Sequence, residues 1–464
     1  MPYVEGFGSW PFGEEWLFEA VASSYLPLLD VLAPAAVTLT LTPVLADQLE
    51  ALRDGAAGER FSAFLRETRA LIHREDADQL ESKGQAEEAA ELRRAAGDYV
   101  RAEARFEEIG RDLVGAFADL VRAEIWTSAA THAVLPLLAT HAGTALQLAA
   151  GIDSHQLRFG DWGGGFWLPE CAYRPGLEGE LAEHAVRVFC VDQTDSLGLG
   201  SLEALEPVQT PEGVIAVPID WQTICLVWDL EHGYPAAGAY RDYHGKTRHD
   251  LKPWNVDGGA YRHDEAVALA QRHAREFVAA VGERLDAYAA ERGNEGLVCC
   301  ALDTELLGHW WYEGPAWLAA VIAEADAAGV ELRTISDALA RSAPVERPLA
   351  ASSWGAGKDL STWDSPAVAE LAFAQRRGEL AVVAAATRLG RSDRLARAAR
   401  ELLALQSSDW SFQVTSGQAG DYPLVRARRH AAALHAALAE AEPVPDPMLR
   451  NLAPDLDLSP LVLP

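Results

Sequence analysis

The chain has few basic residues for its size. Its 464 residues include 39 Lys+Arg against 69 Asp+Glu, a formal net charge of −30, and the first basic side chain is Arg53. So acidic a surface repels nucleic acid and anionic membranes, which excludes both as expected partners. A secretory signal needs a basic region ahead of an apolar run, and none is present, so we expect a cytoplasmic protein. No run of about 18 apolar residues predicts a membrane span.

Cysteine motifs and nucleotide-binding motifs are also missing. Five Cys, an odd number in a long chain, argue against a disulfide scaffold. The sequence contains no CxxC pair and no HExxH, so zinc has little support. No GxGxxG follows a predicted strand and no GxxxxGK[ST] is present, so a nucleotide-binding fold has no support. We expect no metal and no cofactor, and a neutral substrate fits the composition best.

Short apolar segments alternate with helical segments through much of the chain. The predicted strands are 35–41, 123–130, 164–168, 185–192, 213–219, 296–302 and 329–334. Strand–helix alternation of this kind indicates an α/β protein with parallel strands and crossover helices. Either an open doubly wound sheet or a closed barrel would satisfy it.

Two further regions are predominantly helical. Between residues 46 and 124, apolar residues recur at helical spacing with many charges between them. This pattern predicts an insertion of three or four helices within a catalytic region spanning 1–345. The pattern becomes helical again in 346–464, which predicts a C-terminal helical domain.

Two apolar segments end on an acidic residue. Glu170 follows "GGFWLP" and Asp303 follows "GLVCCAL". Because the carboxyl ends of barrel strands surround the open mouth, both carboxylates are expected there. The simpler alternative is that each acid caps a helix or lies in its first turn.

Aromatic residues accompany both acids. Near Glu170 are Trp162, Phe166, Trp167 and Tyr173, and near Asp303 are His309, Trp310, Trp311 and Tyr312. Aromatic faces can stack on the C–H faces of sugar rings. A pair of carboxylates at a mouth lined in this way is what cleavage of a glycosidic bond requires. The alternative is that tryptophans fill a large core, but many of the fourteen Trp lie in loop-like sequence.

Several stretches of the sequence resemble the signature regions of one known family. The stretches "GFWLPECAY" and "LDTELLGHWWYEG" resemble two signature regions of glycoside hydrolase family 57, most closely its α-1,4-glucan branching enzyme branch. Residues 2–20, 124–138, 226–244, 352–363 and 405–412 resemble its other characteristic regions. The similarity therefore covers nearly the whole chain.

The resemblance implies a fold and a mechanism. The fold would be an incomplete (β/α)7 barrel with a helical insertion and a C-terminal helical domain that contributes to the cleft. Glu170 falls on the nucleophile position and Asp303 on the general acid/base position of a retaining enzyme that needs no metal. The substrate would be an α-glucan or malto-oligosaccharide. The implied substrate-binding residues are Trp10, His132, Trp167, Trp228, His309, Trp354, Trp363, Asp409 and Trp410, although Trp410 could instead pack the interface between barrel and helices.

The sequence departs from the family in two places. The family's first region carries a His-x-His motif just before the segment that resembles "PYV", whereas this sequence begins at Met1. We expect Met1 to be an internal methionine of a longer natural protein, the alternative being a loss of function. Residues 195–228 also lack the tyrosine of a flexible loop that favours transfer over hydrolysis. A short loop would admit water, so we expect a hydrolytic side reaction.

Several functions stay open at this level. A 4-α-glucanotransferase or an α-amylase-like hydrolase would use the same scaffold. An inactive glycan-binding protein would be consistent with the missing histidines but not with two intact carboxylates. A metal-dependent hydrolase is the least supported, because the histidines are scattered and have no tight ligand spacing.

Overall fold

The protein is built around one open, mostly parallel sheet. A computed structural model describes residues 1–3, 13–229, 231–439 and 449–462. Within these ranges the strands are β1 (Thr38–Thr40), β2 (Glu124–Ser128), β3 (Gly165–Trp167), β4 (Val188–Val191), β5 (Val208–Gln209), β6 (Ile215–Pro218) and β7 (Val345–Glu346). Their order is β1-β2-β3-β4-β6-β5-β7. In the described part of the chain no ladder joins β1 to β7, so the barrel is incomplete, as predicted.

The central strands are apolar because the sheet is covered on both faces. All four residues of β4 are buried. Phe189 of β4 packs with Phe166 of β3 in one core cluster, whereas Val188 packs with Val217 in another. Successive side chains of a strand point to opposite faces, and parallel sheets bury both. Burial on both sides is why this strand is a continuous apolar run.

Two predicted strands, 296–302 and 329–334, are not strands. The side chains of 296–302 alternate between two core clusters, as those of a strand would. However, within the described ranges its backbone makes isolated hydrogen bonds and no ladder. Leu297 N–H donates to Leu205 O (3.0 Å), and Cys299 O accepts from Asp220 N–H (2.8 Å). Neither segment has a ladder partner among the described residues. An apolar run indicates that a segment is buried, but it does not show whether another strand lies beside that segment.

The prediction also missed the short strands β5 and β7. β5 lies within residues 195–228 and pairs antiparallel with β6. A tight turn reverses the chain between them, closed by the Thr210 N–H bond to Val214 O (2.9 Å). Gly213 has φ of +88° in this turn, a conformation that glycine adopts readily. β7 then pairs parallel with β5 at the edge of the sheet.

Helices make up most of the remainder. In the described ranges they are α1 (Glu15–Ala20), α2 (Leu26–Leu32), α3 (Pro43–Arg53), α4 (Ala56–Ala63), α5 (Arg69–Ser82), α6 (Ala86–Glu108), α7 (Leu113–Ala118), α8 (His141–Phe159), α9 (Leu177–Glu183), α10 (Thr194–Leu197), α11 (Trp221–Trp228), α12 (His263–Arg292), α13 (Gly314–Ala327), α14 (Ile335–Leu339), α15 (Ala369–Leu389), α16 (Asp393–Leu405), α17 (Ser408–Ser416), α18 (Tyr422–Ala439) and α19 (Ser459–Val462). Among the described residues, no helix is both long and apolar enough to cross a membrane.

Two groups of helices correspond to the predicted helical regions. Helices α3 to α7 occupy the interval between β1 and β2, where the insertion was expected. Helices α15 to α18 follow the sheet and pack against its side. Leu146 of α8 and Ala130 after β2 lie in one core cluster with Val382 and Leu402 of these helices. This contact brings the C-terminal helices up to the carboxyl ends of β2 and β3.

Candidate active site

Glu170 lies directly after β3, at its carboxyl end. Gly165 allows β3 to run against the indole of Trp126, where a Cβ atom would come within 2.0 Å of its Nε1. The following turn holds Glu170 at φ +64° and Cys171 at φ +49°. Non-glycine residues in this region are strained and cluster at functional sites. The fully buried Leu168 and Cys171 anchor the turn on either side.

A loop from the far side of the chain holds the Glu170 carboxylate. Trp354 donates from Nε1 to Glu170 Oε2 (2.8 Å), and its backbone N–H donates to Glu170 O (2.9 Å). Ser352 and Tyr173 exchange two backbone hydrogen bonds of 2.9 and 3.0 Å. The Glu170 side chain is 14% exposed. An indole N–H that donates to a carboxylate fixes its orientation.

His132 connects Glu170 to the C-terminal helices. Its Nδ1 lies 3.6 Å from Glu170 Oε1 and is hydrogen-bonded to Ser408 Oγ (2.9 Å). The Ser408 backbone N–H donates to His132 O (3.1 Å). His132 itself has φ of +57°, a third strained residue at this place. Asp409 is next in the chain and accepts from Ser407 Oγ (2.9 Å).

Asp303 lies before a single 3-10 turn, Thr304–Leu306, and its side chain makes no cap hydrogen bond there. The helix-cap alternative is therefore wrong for Asp303. Glu170 does lie in the first turn of a 3-10 segment, Pro169–Cys171, but its backbone is not helical there and no side chain caps that turn. Neither carboxylate has a local structural use of the kind that caps provide.

The surroundings of Asp303 favour its protonated form. The side chain is open to the cleft, but protein encloses its other sides. Burial raises the pKa of Asp303 well above its usual range, and the negative charges of Glu305, Glu170 and Asp409 raise it further. Like charges that share a site cannot all ionise easily. The influence of Glu170 also places the two carboxyl groups within electrostatic range of each other.

Trp167 and Trp354 form an aromatic wall beside Glu170. Both rings are partly exposed, and their centroids are 5.1 Å apart at 61°. The structure therefore brings together Glu170, Asp303, His132, Trp167 and Trp354. The Asp409 carboxylate lies within electrostatic range of both Asp303 and His132.

Four other predicted residues lie elsewhere. Trp363 and Trp410 are only 3% and 0% exposed, so neither ring presents an open face to a glucan in this structure, and their role in substrate binding stays a prediction. Trp410 donates from Nε1 to Ala404 O (2.8 Å) within the core of the helical region. Trp228 is 39% exposed at the end of α11, with no contact to either carboxylate among the described residues. His309 lines a separate cavity. Trp10 lies outside the described residues.

Sequence reasoning missed a buried ion pair near Glu170. Asp192 is fully buried at the carboxyl end of β4 and pairs with Lys358 Nζ (2.9 Å). It also accepts from Trp221 Nε1, and Lys358 lies 3.0 Å from the centroid of the Trp221 ring. Trp221 is therefore covered on that face. The stretch "AVRVFCVD" carried the signal, because its apolar run ends on an acid, as the apolar runs before Glu170 and Asp303 do.

No group of three or more His, Cys, Asp or Glu side chains among the described residues is arranged to hold a metal ion. The five cysteines are free thiols.

Comparisons with known proteins agree with this geometry. The sequence model of glycosyl hydrolase family 57 matches residues 1–349, and that of the 1,4-alpha-glucan branching enzyme C-terminal domain matches residues 373–453. A probable 1,4-alpha-glucan branching enzyme of Mycobacterium tuberculosis is 34% identical over 479 residues, covering 93% of this chain and 88% of the relative. A 1,4-alpha-glucan branching enzyme of Thermococcus kodakarensis is 32% identical, covering 94% and 71%.

Solved structures give the same result. The crystal structure of a branching enzyme of this family from Pyrococcus horikoshii superposes with a TM-score of 0.90 at 30% identity, covering 100% of this chain and 95% of that one. An alpha-amylase from Thermotoga maritima, at 22% identity and a TM-score of 0.84 with 100% and 97% covered, shares the fold. From the match over residues 1–349 and these relatives, the chain belongs to glycosyl hydrolase family 57.

Proposed function

We propose that this protein is a retaining 1,4-α-glucan branching enzyme that acts in the cytoplasm on glycogen-like chains or malto-oligosaccharides. The observation that carries the proposal is the unlike pair of carboxyl groups. Asp303 has a raised pKa and is disposed to hold a proton, whereas the Glu170 carboxyl group is held in place by an indole hydrogen bond. A carboxyl group that holds a proton beside a second, fixed carboxyl group is what double displacement at a sugar requires.

The first step breaks an α-1,4 bond. The Glu170 carboxylate attacks the anomeric carbon while Asp303 gives its proton to the glycosidic oxygen. The leaving chain departs with that proton, and the remaining chain stays esterified to Glu170. Trp354 holds Glu170 in line for this attack, and the faces of Trp167 and Trp354 are suited to stack on the sugar.

The second step forms the branch. The Asp303 carboxylate takes the proton of an acceptor 6-hydroxyl, whose oxygen displaces Glu170 from the anomeric carbon. Two inversions return the α configuration and leave an α-1,6 bond. If water is the acceptor, the product is a new reducing end. Residues 195–228 form short helices and a hairpin and contain no tyrosine, so we expect some hydrolysis beside transfer.

Incubation with amylose tests the function directly. We expect α-1,6 linkages to accumulate, with a smaller rise in reducing ends, measured as linear chains released by a debranching enzyme and by a reducing-sugar assay. Chains redistributed without α-1,6 linkages would instead make the protein a 4-α-glucanotransferase. Reducing ends alone would make it a hydrolase, and glucan binding without any product would make it a binding protein.

The Trp354→Phe variant tests the indole hydrogen bond to Glu170. It keeps an aromatic ring but removes the Nε1 donor. A hydrogen bond to a charged group contributes about 1.5–3 kcal/mol, so we expect kcat/KM on amylose to fall by roughly tenfold to a hundredfold. The loss should be mainly in kcat, because the bond matters most as Glu170 moves onto the anomeric carbon.

Trp167→Phe is the matched control for that variant. Trp167 stacks against the same ring but donates no hydrogen bond to Glu170. It should lose less than Trp354→Phe, and its loss should be mainly in KM. Equal losses in the two variants would contradict a positioning role for the Trp354 N–H group.

A further inference from the structure

Lysine is rare in this chain, and two of its lysines, Lys252 and Lys358, are partly buried. The four are Lys83, Lys246, Lys252 and Lys358, so arginine supplies nearly all the positive charge. Lys358 is paired with Asp192, as described above. Lys246 and Lys252 both line one cavity. An ammonium group is a compact charge that arginine does not replace, and two of the four converge here.

The cavity is separate from the two catalytic carboxyl groups. It has a volume of about 560 Å³ and lies between the N-terminal helices, the inserted helices α5 and α6, residues 241–252 and residues 308–316. Neither Glu170 nor Asp303 lines it. Pockets for small molecules have volumes of about 300–1,000 Å³, so the space is sufficient for one.

The carboxylates of the cavity wall already have partners. Glu19 pairs with Arg69, Asp98 with Arg101, Asp30 with Arg105 (2.8 Å) and Asp250 with Lys246 (3.9 Å), and Glu313 accepts from the Arg241 N–H (3.2 Å). Glu15 is not free either. Glu313 Oε2 has no hydrogen-bond partner among the described residues, but the other carboxylates are already engaged by these cations.

Lys252 is an additional cation of the cavity wall. Its ammonium lies 3.7 Å from the centroid of the Tyr243 ring, and among the described residues no carboxylate lies within ion-pair distance of it. Burial lowers the pKa of Lys252 to about 7, helped by the charges of Lys246, Arg241 and Arg69 and opposed by Asp250. A bound anion would supply the counter-charge that none of the described residues provides.

Two nitrogen atoms nearby also lack partners. Within the described ranges, Arg69 Nε and His309 Nε2 are buried without a hydrogen bond, and both residues line the cavity. Burial and the charges of Lys252 and Arg69 lower the pKa of His309 to about 3, which places the three side chains within electrostatic range. Buried polar groups without partners are costly and uncommon. Their position beside an unpaired ammonium indicates a ligand with several oxygen acceptors.

An aromatic surface adjoins this cationic corner. The Trp310 and Tyr243 ring centroids are 5.0 Å apart, both residues line the cavity, and Trp310 is 39% exposed. Such faces suit a sugar ring. We propose that the cavity binds a phosphorylated sugar, with its phosphate against Lys252, Arg69 and His309 and its ring against Trp310 and Tyr243. This inference does not depend on the branching activity.

Calorimetric titration tests the proposal with three probes: glucose 6-phosphate, inorganic phosphate and glucose. We expect glucose 6-phosphate to bind most tightly, phosphate more weakly and glucose least. Lys252→Met should weaken glucose 6-phosphate binding by about tenfold or more, since it removes a charge-assisted contact. Lys83→Met, at an exposed lysine in the turn between α5 and α6, should bind as the unmodified protein does. Equal binding of glucose and glucose 6-phosphate, or binding that Lys252→Met leaves unchanged, would overturn the proposal.

Lysine acetylation gives a second readout that needs no variant. With only four lysines, mass spectrometry can follow each one after brief treatment with acetic anhydride. We expect glucose 6-phosphate to protect Lys252 while Lys83 is modified at an unchanged rate. Protection of neither lysine at saturating glucose 6-phosphate would overturn the proposal, even if Lys252→Met failed to fold.

Discussion

The Glu170→Gln variant should lose nearly all activity while still binding glucan. The amide cannot attack the anomeric carbon, so no glycosyl-enzyme can form, and we expect the rate to fall by roughly 10⁴-fold or more. Glutamine has nearly the shape of glutamate and still offers an oxygen to Trp354 Nε1, which donates to Glu170 at 2.8 Å. Both α-1,6 linkages and reducing ends should disappear together, because both products arise from the same intermediate.

Glu183→Gln provides the control for that experiment. Glu183 is an exposed glutamate at the end of α9, a short distance along the chain from Glu170, and its variant should keep full activity. Binding of maltoheptaose, measured by calorimetry, should be similar in all three proteins. If Glu170→Gln retained more than a few per cent of either product, Glu170 would not be the nucleophile.

The Asp303→Ala variant should show a loss that depends on the leaving group. A general acid contributes about 10²–10⁴-fold, and we expect a loss of that size on amylose. An activated 2,4-dinitrophenyl α-maltoside needs no protonation of its leaving oxygen, so its cleavage should be much less affected. Added azide should then accelerate turnover by attacking the ester on Glu170, releasing its carboxylate and giving an α-glycosyl azide. A β-azide, or equal losses on both substrates, would contradict the acid/base role.

The pH profile examines the same residue without removing it. Because Asp303 must be protonated, kcat/KM should fall as the pH rises through its raised pKa. Glu305 carries the charge that raises this pKa most after burial. Glu305→Gln should therefore lower the pKa of Asp303 and move the alkaline limb of the profile to lower pH. Asp326→Ala, at an exposed residue of α13, should leave the profile in place.

The location of the two carboxyl groups could be predicted because it depends on short stretches of sequence. A run such as "GGFWLP" marks a buried strand, and a residue at its carboxyl end must lie at one edge of the sheet. The same rule predicts the position of Asp192 after β4, a residue that we did not single out. For residues 296–302 the rule was only partly correct, because the segment is buried as predicted but forms no strand ladder with the described part of the chain.

The burial of the tryptophans could not be predicted in the same way. Trp354 and Trp410 both lie in sequence that resembles the family, yet one contacts Glu170 and the other is fully buried. Which one reaches the cleft depends on how the loop before α15 and the start of α17 pack. His309 was likewise expected in the cleft, but the inserted helices and residues 241–252 enclose it in a second cavity.

By itself, the sequence determined the α/β class, the inserted and C-terminal helices, the family resemblance and the two acids, because each is carried by local periodicity or a contiguous motif. Only the tertiary structure decided which distant groups meet. Trp354 reaches Glu170 across 184 residues, His132 meets Ser408 across 276, and Lys252 lines one cavity with Arg69 and His309, with no ion-pair partner in the part of the chain that the structure describes. These long-range contacts depend on how whole helices, strands and loops pack together. Short patterns along the chain do not encode that packing.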